Sequence, residues 1–185
     1  MRSIMIVVGM MILVVAVALN AQAPAPKPGP EHQKMYVWLG DWTWDEEARD
    51  SPSGPWYRTP GSMQVRLMQG GFFIEFRWKS NIKGQEVSGV EIEGYDPIKK
   101  VNLTSFFASN GARGGVTSAV YKGNVEEVSY AEMSADGKKI EARCTWNFAA
   151  DALSVSGSCE QLTDGKWWPF RRSKGTKVKA ISKNE

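Results

Sequence analysis

The chain has 185 residues, 23 Lys and Arg against 20 Asp and Glu, a net charge of +3 and one His. This length predicts one domain with a substantial core. The small basic excess lies mostly in the C-terminal tail, which argues against a nucleic-acid partner, and one His leaves few options for metal or acid–base chemistry. Eight Trp indicate dense aromatic packing or an aromatic-lined pocket.

Residues 1–23 have the features of a secretory signal peptide. Arg2 precedes an uncharged apolar run from Ile4 to Leu19, and small residues suited to cleavage follow. An uncleaved anchor is the alternative, although the run is short for a membrane span. We therefore predict a periplasmic or secreted protein with no stable membrane span after cleavage. Residues 24–30 form a Pro-rich, extended spacer.

Residues 31–177 are predicted to form an all-β domain behind one short helix, which ends at Gly40. Beyond Gly40, apolar and polar residues alternate, and turn residues recur about every 8–12 positions. Residues 178–185 form a polar tail. The predicted strands are at about 41–48, 62–69, 72–79, 86–95, 100–107, 116–121, 125–133, 138–148, 152–162 and 166–176.

Roughly ten sequential strands with short connections fit an antiparallel up-and-down meander. Closing the meander into a β-barrel removes its exposed edges. A barrel of this strand number can enclose one small ligand. A β-sandwich is the alternative fold.

The two Cys residues are predicted to face each other across a hairpin. If Ala150 pairs with Leu153, Cys144 lies directly opposite Cys159, and the same register gathers the apolar side chains on one face. Directly opposite Cβ atoms are close to disulfide distance, and export provides an oxidising compartment. We predict a structural disulfide, with a pair of buried thiols as the alternative.

Aromatic residues on the apolar face of the strands are the strongest indication of a binding site. In a barrel this face points inward, and apolar pockets with a few polar groups are typical ligand sites. Glu46 and Arg172 share the face of their aromatic neighbours and are the candidate polar anchors. Solid packing of the rings is the alternative. The predicted ligand-binding residues are Trp42, Trp44, Glu46, Phe76, Trp78, Phe107, Trp146 and Arg172.

The remaining titratable residues give no sign of a catalytic or metal site. Glu91 and Glu93 alternate with apolar residues and are predicted to face solvent, because charged side chains are seldom buried unpaired. His32 is predicted to be an isolated surface residue. The chain contains no nucleophile elbow, phosphate-binding loop, dinucleotide-binding fingerprint or zinc-protease motif. We predict no catalytic residue, no metal site and no cofactor.

Two parts of the chain resemble lipocalin-like (calycin) barrels: the helix followed by Leu39-Gly40-Asp41-Trp42 and the late Arg171-Arg172. In those barrels the first-strand Trp closes one end, and a late-strand Arg packs across it. The resemblance implies that Trp42 closes one barrel end under Arg171 or Arg172. The nitrobindin-like relatives hold haem through a late His, and this chain has none there.

Three shorter motifs, 70–75, 94–97 and 164–167, resemble an uncharacterised bacterial family of exported proteins with a calycin-type fold. The resemblance covers about residues 36–176. It implies a fold and supplies no catalytic residues, because fold does not determine function.

The leading hypothesis is an exported binding protein, rather than an enzyme, that holds a small, largely apolar molecule inside a barrel. One alternative is an enzyme with a carboxylate in the cavity, which requires an inward Glu or Asp with a raised pKa. The other is a cell-envelope interaction protein without a ligand. The residues do not specify an oligomeric state.

Overall fold

The strands close into an antiparallel β-barrel in the computed structural model, which describes residues 25–134 and 136–179. From β3 to β11 the spatial order of the strands is their order in the chain, and β1 pairs with both β3 and β11. The predicted meander barrel is therefore confirmed. The predicted signal peptide lies outside the described residues, among which no helix is long and apolar enough to cross a membrane.

The chain enters the barrel through helix α1 (Pro30–Lys34) and a 3₁₀ helix (Met35–Trp38). The two-residue β2 pairs with the end of β1 on the same side as β3, so the closed wall has ten strands. The strands are β1 (Gly40–Ala48), β2 (Tyr57–Arg58), β3 (Gly61–Leu67), β4 (Phe73–Ile82), β5 (Gln85–Asp96), β6 (Val101–Ala108), β7 (Arg113–Lys122), β8 (Val125–Met133), β9 (Lys139–Phe148), β10 (Ser154–Thr163) and β11 (Lys166–Lys179).

The hairpin turns follow from local sequence. Lys83-Gly84 and Asp164-Gly165 each have positive φ at both residues, as a two-residue turn that matches the twist of the flanking strands requires. Between β9 and β10, Phe148 pairs with Val155 and Cys144 with Cys159, as the apolar pattern predicts. The predicted disulfide between Cys144 and Cys159 is present.

The 3₁₀ helix closes one end of the barrel. Met35, Trp38 and Leu39 are buried against the strand ends, in a core that includes Ile74 and Phe148. The ring of Trp38 packs edge-on against Phe148, with 4.7 Å between ring centroids. This end of the barrel is therefore filled, and any internal space lies beyond Trp38.

Trp42 belongs to this closed end, but the cation over its ring is not one of the two arginines that the resemblance implies. Its Nε1 donates to the carbonyl oxygen of Trp38 at 2.7 Å. The cation over its ring is Lys177, with Nζ 4.7 Å from the centroid, and Lys177 also donates to the carbonyl oxygen of Val37 at 3.1 Å. The expectation that Arg171 or Arg172 covers Trp42 is wrong, because both arginines lie nearer the start of β11, towards the opposite end of the barrel.

Candidate functional site

A cavity of about 320 Å³ lies inside the barrel beyond the Trp38 ring. It reaches the opposite rim, where Gly61, Ile82 and Asn110 line it at strand ends and in a loop. Much of its wall is aromatic, so it offers an apolar surface to a ligand. The aromatic lining residues are Trp38, Trp44, Phe76, Trp78, Phe106, Tyr130 and Trp146.

The cavity brings together most of the residues predicted from sequence. Trp44, Phe76, Trp78 and Trp146 line it, and Glu46 adds a carboxylate to the same wall. Three of the predicted binding residues lie elsewhere. They are Trp42, which is buried in the closed end, and Phe107 and Arg172, which lie on the outer surface.

The predicted inward direction of Phe107 is wrong, and the cause is an inverted pattern in β6. Its side chain is 60% exposed, whereas the neighbouring Phe106 lines the cavity. The interior face of β6 carries Asn102 and Thr104, which are buried and polar. The apolar residues on the alternate positions therefore face outward, because the interior here is a polar environment.

Arg172 lies outside because β11 contains a β-bulge. Cys159 pairs with Arg171, but Glu160 pairs with Pro169, which leaves Phe170 as an extra residue. The bulge reverses the alternation, so Arg171 lines the cavity. Arg172 makes an exposed ion pair with Glu47 at 2.6 Å and lies over the ring of Trp56, 4.7 Å from its centroid.

Two glycines let tryptophan rings lie flat against the cavity wall. Gly157 pairs with Trp146 across β9 and β10, and Gly175 pairs with Trp44 across β1 and β11. A Cβ atom at either glycine would collide with the paired ring. Any larger residue at these positions would therefore displace the ring.

Glu46 and Arg171 form an ion pair in the cavity wall. The Glu46 carboxylate accepts hydrogen bonds from Trp44 Nε1 at 3.1 Å, Ser173 Oγ at 2.6 Å and Thr59 Oγ1 at 3.0 Å. Nε of Arg171 is 3.5 Å from Glu46 Oε1, and the charge of Glu46 raises the pKa of the guanidinium. This Nε is buried and has no hydrogen-bond partner among the described residues.

A second acidic cluster lies deeper, beside the Trp38 ring. Oε1 of Glu93 accepts hydrogen bonds from Asn102 Nδ2 at 2.7 Å and Tyr121 Oη at 3.1 Å. Tyr121 also makes a hydrogen bond with Glu126, whose Oε2 accepts from Trp38 Nε1 at 3.0 Å. Burial raises the pKa of Glu93 to about 7 and that of Glu126 well above its ordinary value.

Glu91 lies one step along β5 from Glu93 and faces the cavity directly. Phe76 on β4 and Phe106 on β6 are its cross-strand neighbours on the same face. Burial, and then the charge of Glu93, raises the pKa of Glu91 to about 7. The predicted solvent exposure of Glu91 and Glu93 is therefore wrong. The outward residue between them is Ile92, which is 40% exposed.

The family DUF1579, described as a protein of unknown function, matches residues 27–176. The chain belongs to this family. No curated protein is similar enough in sequence to match this DUF1579 chain.

Solved structures are similar to this DUF1579 protein in fold. The crystal structure of Rv2717c from M. tuberculosis has a TM-score of 0.58 and 13% identity, over 80% of this chain and 98% of that chain. The S-type phycobiliprotein lyase CPES from Guillardia theta has a TM-score of 0.45 and 12% identity, over 84% and 100%. A de novo designed fluorescence-activating β-barrel has a TM-score of 0.39 and 16% identity, over 77% and 94%. Likeness at this level of identity concerns the fold alone.

The DUF1579 cavity combines an aromatic wall with carboxyls that titrate near neutral pH. Among the described residues, no group of three or more His, Cys, Asp or Glu is arranged to hold a metal ion. The cavity residues that sequence reasoning missed are Trp38, Glu91, Glu93, Phe106, Glu126 and Arg171. Asn102 and Thr104 on one face of β6 are the signal in the sequence that could have revealed the polar interior.

Proposed function

We propose that this protein is an exported, lipocalin-like binding protein that holds a small, largely apolar molecule inside its barrel. The observation that carries this proposal is the cavity of about 320 Å³ with its aromatic wall. Ligand sites of this kind are concave and mostly apolar, with a few polar groups that fix orientation. Trp44, Phe76, Trp78 and Trp146 are the proposed apolar contacts.

Arg171 takes the anchoring role that the sequence pattern gave to Arg172. Its buried Nε–H makes no hydrogen bond within the described chain, although Glu46 lies 3.5 Å away, and a buried donor without a hydrogen bond costs free energy. A ligand with a hydrogen-bond acceptor would satisfy this donor. Glu46 acts as its counter-ion, since three donors already fix the Glu46 carboxylate.

The disulfide between Cys144 and Cys159 supports export, because disulfides persist mainly in oxidising compartments. The apolar segment at residues 4–19 is the proposed signal for that route. Expression of the full chain in a bacterium, followed by fractionation and mass spectrometry, tests this. We expect a shortened chain in the periplasm or the medium; a full-length chain in the cytoplasm contradicts export.

Native mass spectrometry and tryptophan fluorescence titration with a panel of apolar compounds test the binding function. A matched pair of variants places the ligand: Ala119→Leu fills the cavity from β7, while Thr117→Leu lies on the outer face of the same strand. We expect Ala119→Leu to weaken binding by about tenfold, a change of about 1.4 kcal/mol, and Thr117→Leu to leave it unchanged. If no compound binds, or if both variants behave alike, the proposal fails.

An enzyme is the second candidate function, and one observation favours it. A general acid or base works best with a pKa near the operating pH, and the pKa of Glu91 is raised to about 7 beside the cavity. A bound compound that is slowly converted by the wild type, and is bound but unchanged by Glu91→Gln, would establish it. Binding without turnover in both proteins supports the binding function alone.

A further inference from the structure

The cavity contains more acidic than basic groups. Arg171 and Lys79 are the described cations along its wall, and the Lys79 side chain points outward, where its Nζ lies 3.7 Å from Glu86. Arg171 therefore stands alone as an inward cation in the described part of the chain. The carboxyls along the wall are Glu46, Glu91, Glu93, Glu126 and Glu132.

Arg171 already has acidic partners. It lies 3.5 Å from Glu46, and its charge opposes the burial that raises the pKa of Glu132. The two carboxyls nearest to this guanidinium are thus the ones at its own end of the cavity. The charge of Arg171 therefore does not neutralise the deeper carboxyls, Glu91, Glu93 and Glu126.

The deeper carboxyls have only neutral partners. Glu93 and Glu126 accept hydrogen bonds from Asn102, Tyr121 and Trp38, and Glu91 makes one with Thr104. Within the described residues, no ion pair reaches any of these three carboxyls. A buried carboxylate without a cation is unfavourable, so each carboxyl stays protonated unless a cation binds beside it.

The aromatic side chains around Glu91 form a suitable surface for that partner. Phe76 and Phe106 flank it across the neighbouring strands, and Trp44 and Trp146 line the same cavity with ring centroids 5.7 Å apart. Aromatic faces attract cations, most strongly when water is excluded. A cation beside Glu91 would meet both a carboxylate and aromatic rings.

We propose that the ligand is an organic cation, an amine or quaternary ammonium on an aromatic or other apolar body, whose positive group binds at Glu91. This inference rests on the proposed binding function and names the ligand class. Nε of Arg171 lies 3.5 Å from Glu46 but makes no hydrogen bond within the described residues, which is an independent sign that the cavity suits a ligand with a polar atom. A hydrogen-bond acceptor at the other end of the same ligand would accept a hydrogen bond from this Nε.

An anionic ligand fits the cavity less well. Its charge would meet Glu91, Glu93 and Glu126, for which no counter-ion is present in the described residues. Arg171, the group that would attract it, is already paired with Glu46. Like charges in a low-dielectric interior are strongly unfavourable.

Isothermal titration calorimetry with three probes that share a phenyl ring tests the ligand class: phenethylamine, 2-phenylethanol and phenylacetate. An alkylammonium keeps its proton below about pH 9, so the amine is a cation throughout the range used. At pH 7.5 we expect the amine to bind at least about tenfold more tightly than the alcohol, with phenylacetate weakest.

The affinity for the amine should also rise from pH 5.5 to 8. A cation binds the ionised form of Glu91, and that form is populated as the pH passes about 7. The groups that face Glu91 are Glu93 on its own strand and Glu126 and Tyr130 on β8. Proton release on binding, seen by comparing buffers with different heats of ionisation, measures the same linkage.

A matched pair of variants tests whether the carboxylate of Glu91 binds the ammonium group. Glu91→Gln keeps the shape of the side chain, and Glu75→Gln removes one charge from the outer face of adjacent β4, where Glu75 pairs with Arg77. We expect Glu91→Gln to weaken amine binding by about tenfold or more and to leave 2-phenylethanol unaffected. Glu75→Gln should change neither.

The outcomes separate the two proposals. If the alcohol or phenylacetate binds as tightly as the amine, or if Glu91→Gln leaves amine binding unchanged, the organic-cation inference is overturned. Binding of neutral or acidic compounds alone from the apolar panel also overturns it, while the binding function stands. If no compound of any charge binds, the binding function itself fails.

Discussion

Trp38 donates its indole N–H to Oε2 of Glu126 at 3.0 Å, and both side chains are buried. One partner belongs to the 3₁₀ helix that closes the barrel, and the other to the acidic cluster beside the cavity. The hydrogen bond therefore connects the 3₁₀ helix at the closed end to the acidic cluster in the interior. Loss of either partner should affect both the packing of the helix and the cluster.

Replacement of Trp38 by Phe tests this link. Phe keeps an aromatic ring here but is smaller than Trp, and Glu126 loses a donor, so we expect the free energy of unfolding to fall by at least about 1–3 kcal/mol. Urea denaturation followed by circular dichroism measures it. Trp167→Phe, at an exposed position over Arg143, is the matched control and should change stability by less than about 0.5 kcal/mol. Equal effects would show that the buried hydrogen bond contributes nothing.

Stability should fall as the pH rises from about 5 to about 8. The pKa of Glu91 is raised to about 7, whereas an unfolded Glu titrates near 4.3, so the folded state holds a proton that the unfolded state releases. Stability from this proton is complete below the unfolded pKa and is lost as the pH passes the folded pKa. Glu93 adds to the same trend. For Glu91 the loss is up to about 3 kcal/mol.

Thermal unfolding midpoints between pH 5 and 8 measure this dependence. Glu91→Gln should reduce the slope, because its amide does not titrate, and Glu75→Gln on the outer face should retain it. A midpoint that rises with pH across this range in the wild type would contradict the burial of Glu91.

Lys177, the cation over Trp42, should contribute more to the stability of the fold than the exposed Arg172. Lys177→Met removes both the contact with the Trp42 ring and the hydrogen bond to Val37, so we expect a loss of about 1–2 kcal/mol. Arg172→Met breaks an ion pair whose side chains are 56% and 38% exposed, and should cost less than about 1 kcal/mol. Guanidinium denaturation of both variants gives the comparison; the reverse order would show that the contacts of Lys177 contribute less to stability than those of Arg172.

Removal of the disulfide should destabilise the barrel without abolishing it. Cys144 and Cys159 are 15 residues apart, and closing a loop of that size contributes about 3 kcal/mol in the chain-entropy account. Urea denaturation with and without dithiothreitol measures the loss. Cys144→Ala/Cys159→Ala should be insensitive to the reductant; a reductant effect on this variant would point to another cause.

The fold was readable from the sequence because its signals are local. Alternation and turn residues mark each strand, and the pairing of Cys144 with Cys159 follows from one short hairpin. The direction of a strand's faces is a weaker signal. Glu91 and Glu93 face inward because residues distant in sequence, such as Asn102 and Tyr121, provide hydrogen-bond partners inside the barrel. The local sequence pattern does not indicate such partners.

Two other features of the site were beyond local reasoning. The bulge at Phe170 adds one residue to β11, and that single residue decides whether Arg171 or Arg172 reaches the cavity. Trp42 and Lys177 meet only because the first and last long strands pair. A pairing between the two ends of the domain leaves no periodic trace in either segment.

The pairing of β1 with β11 has a further consequence for how the barrel folds. Glu47 and Arg172 meet across this seam although they are 125 residues apart, so a very large loop must close before the seam forms. The hairpins can form earlier, because their partners are close in the chain. We expect the seam to form last, on the millisecond-to-second scale of non-local β folds. Until it forms, β1 and β11 each present an unpaired edge, and the incomplete barrel is then most prone to aggregate.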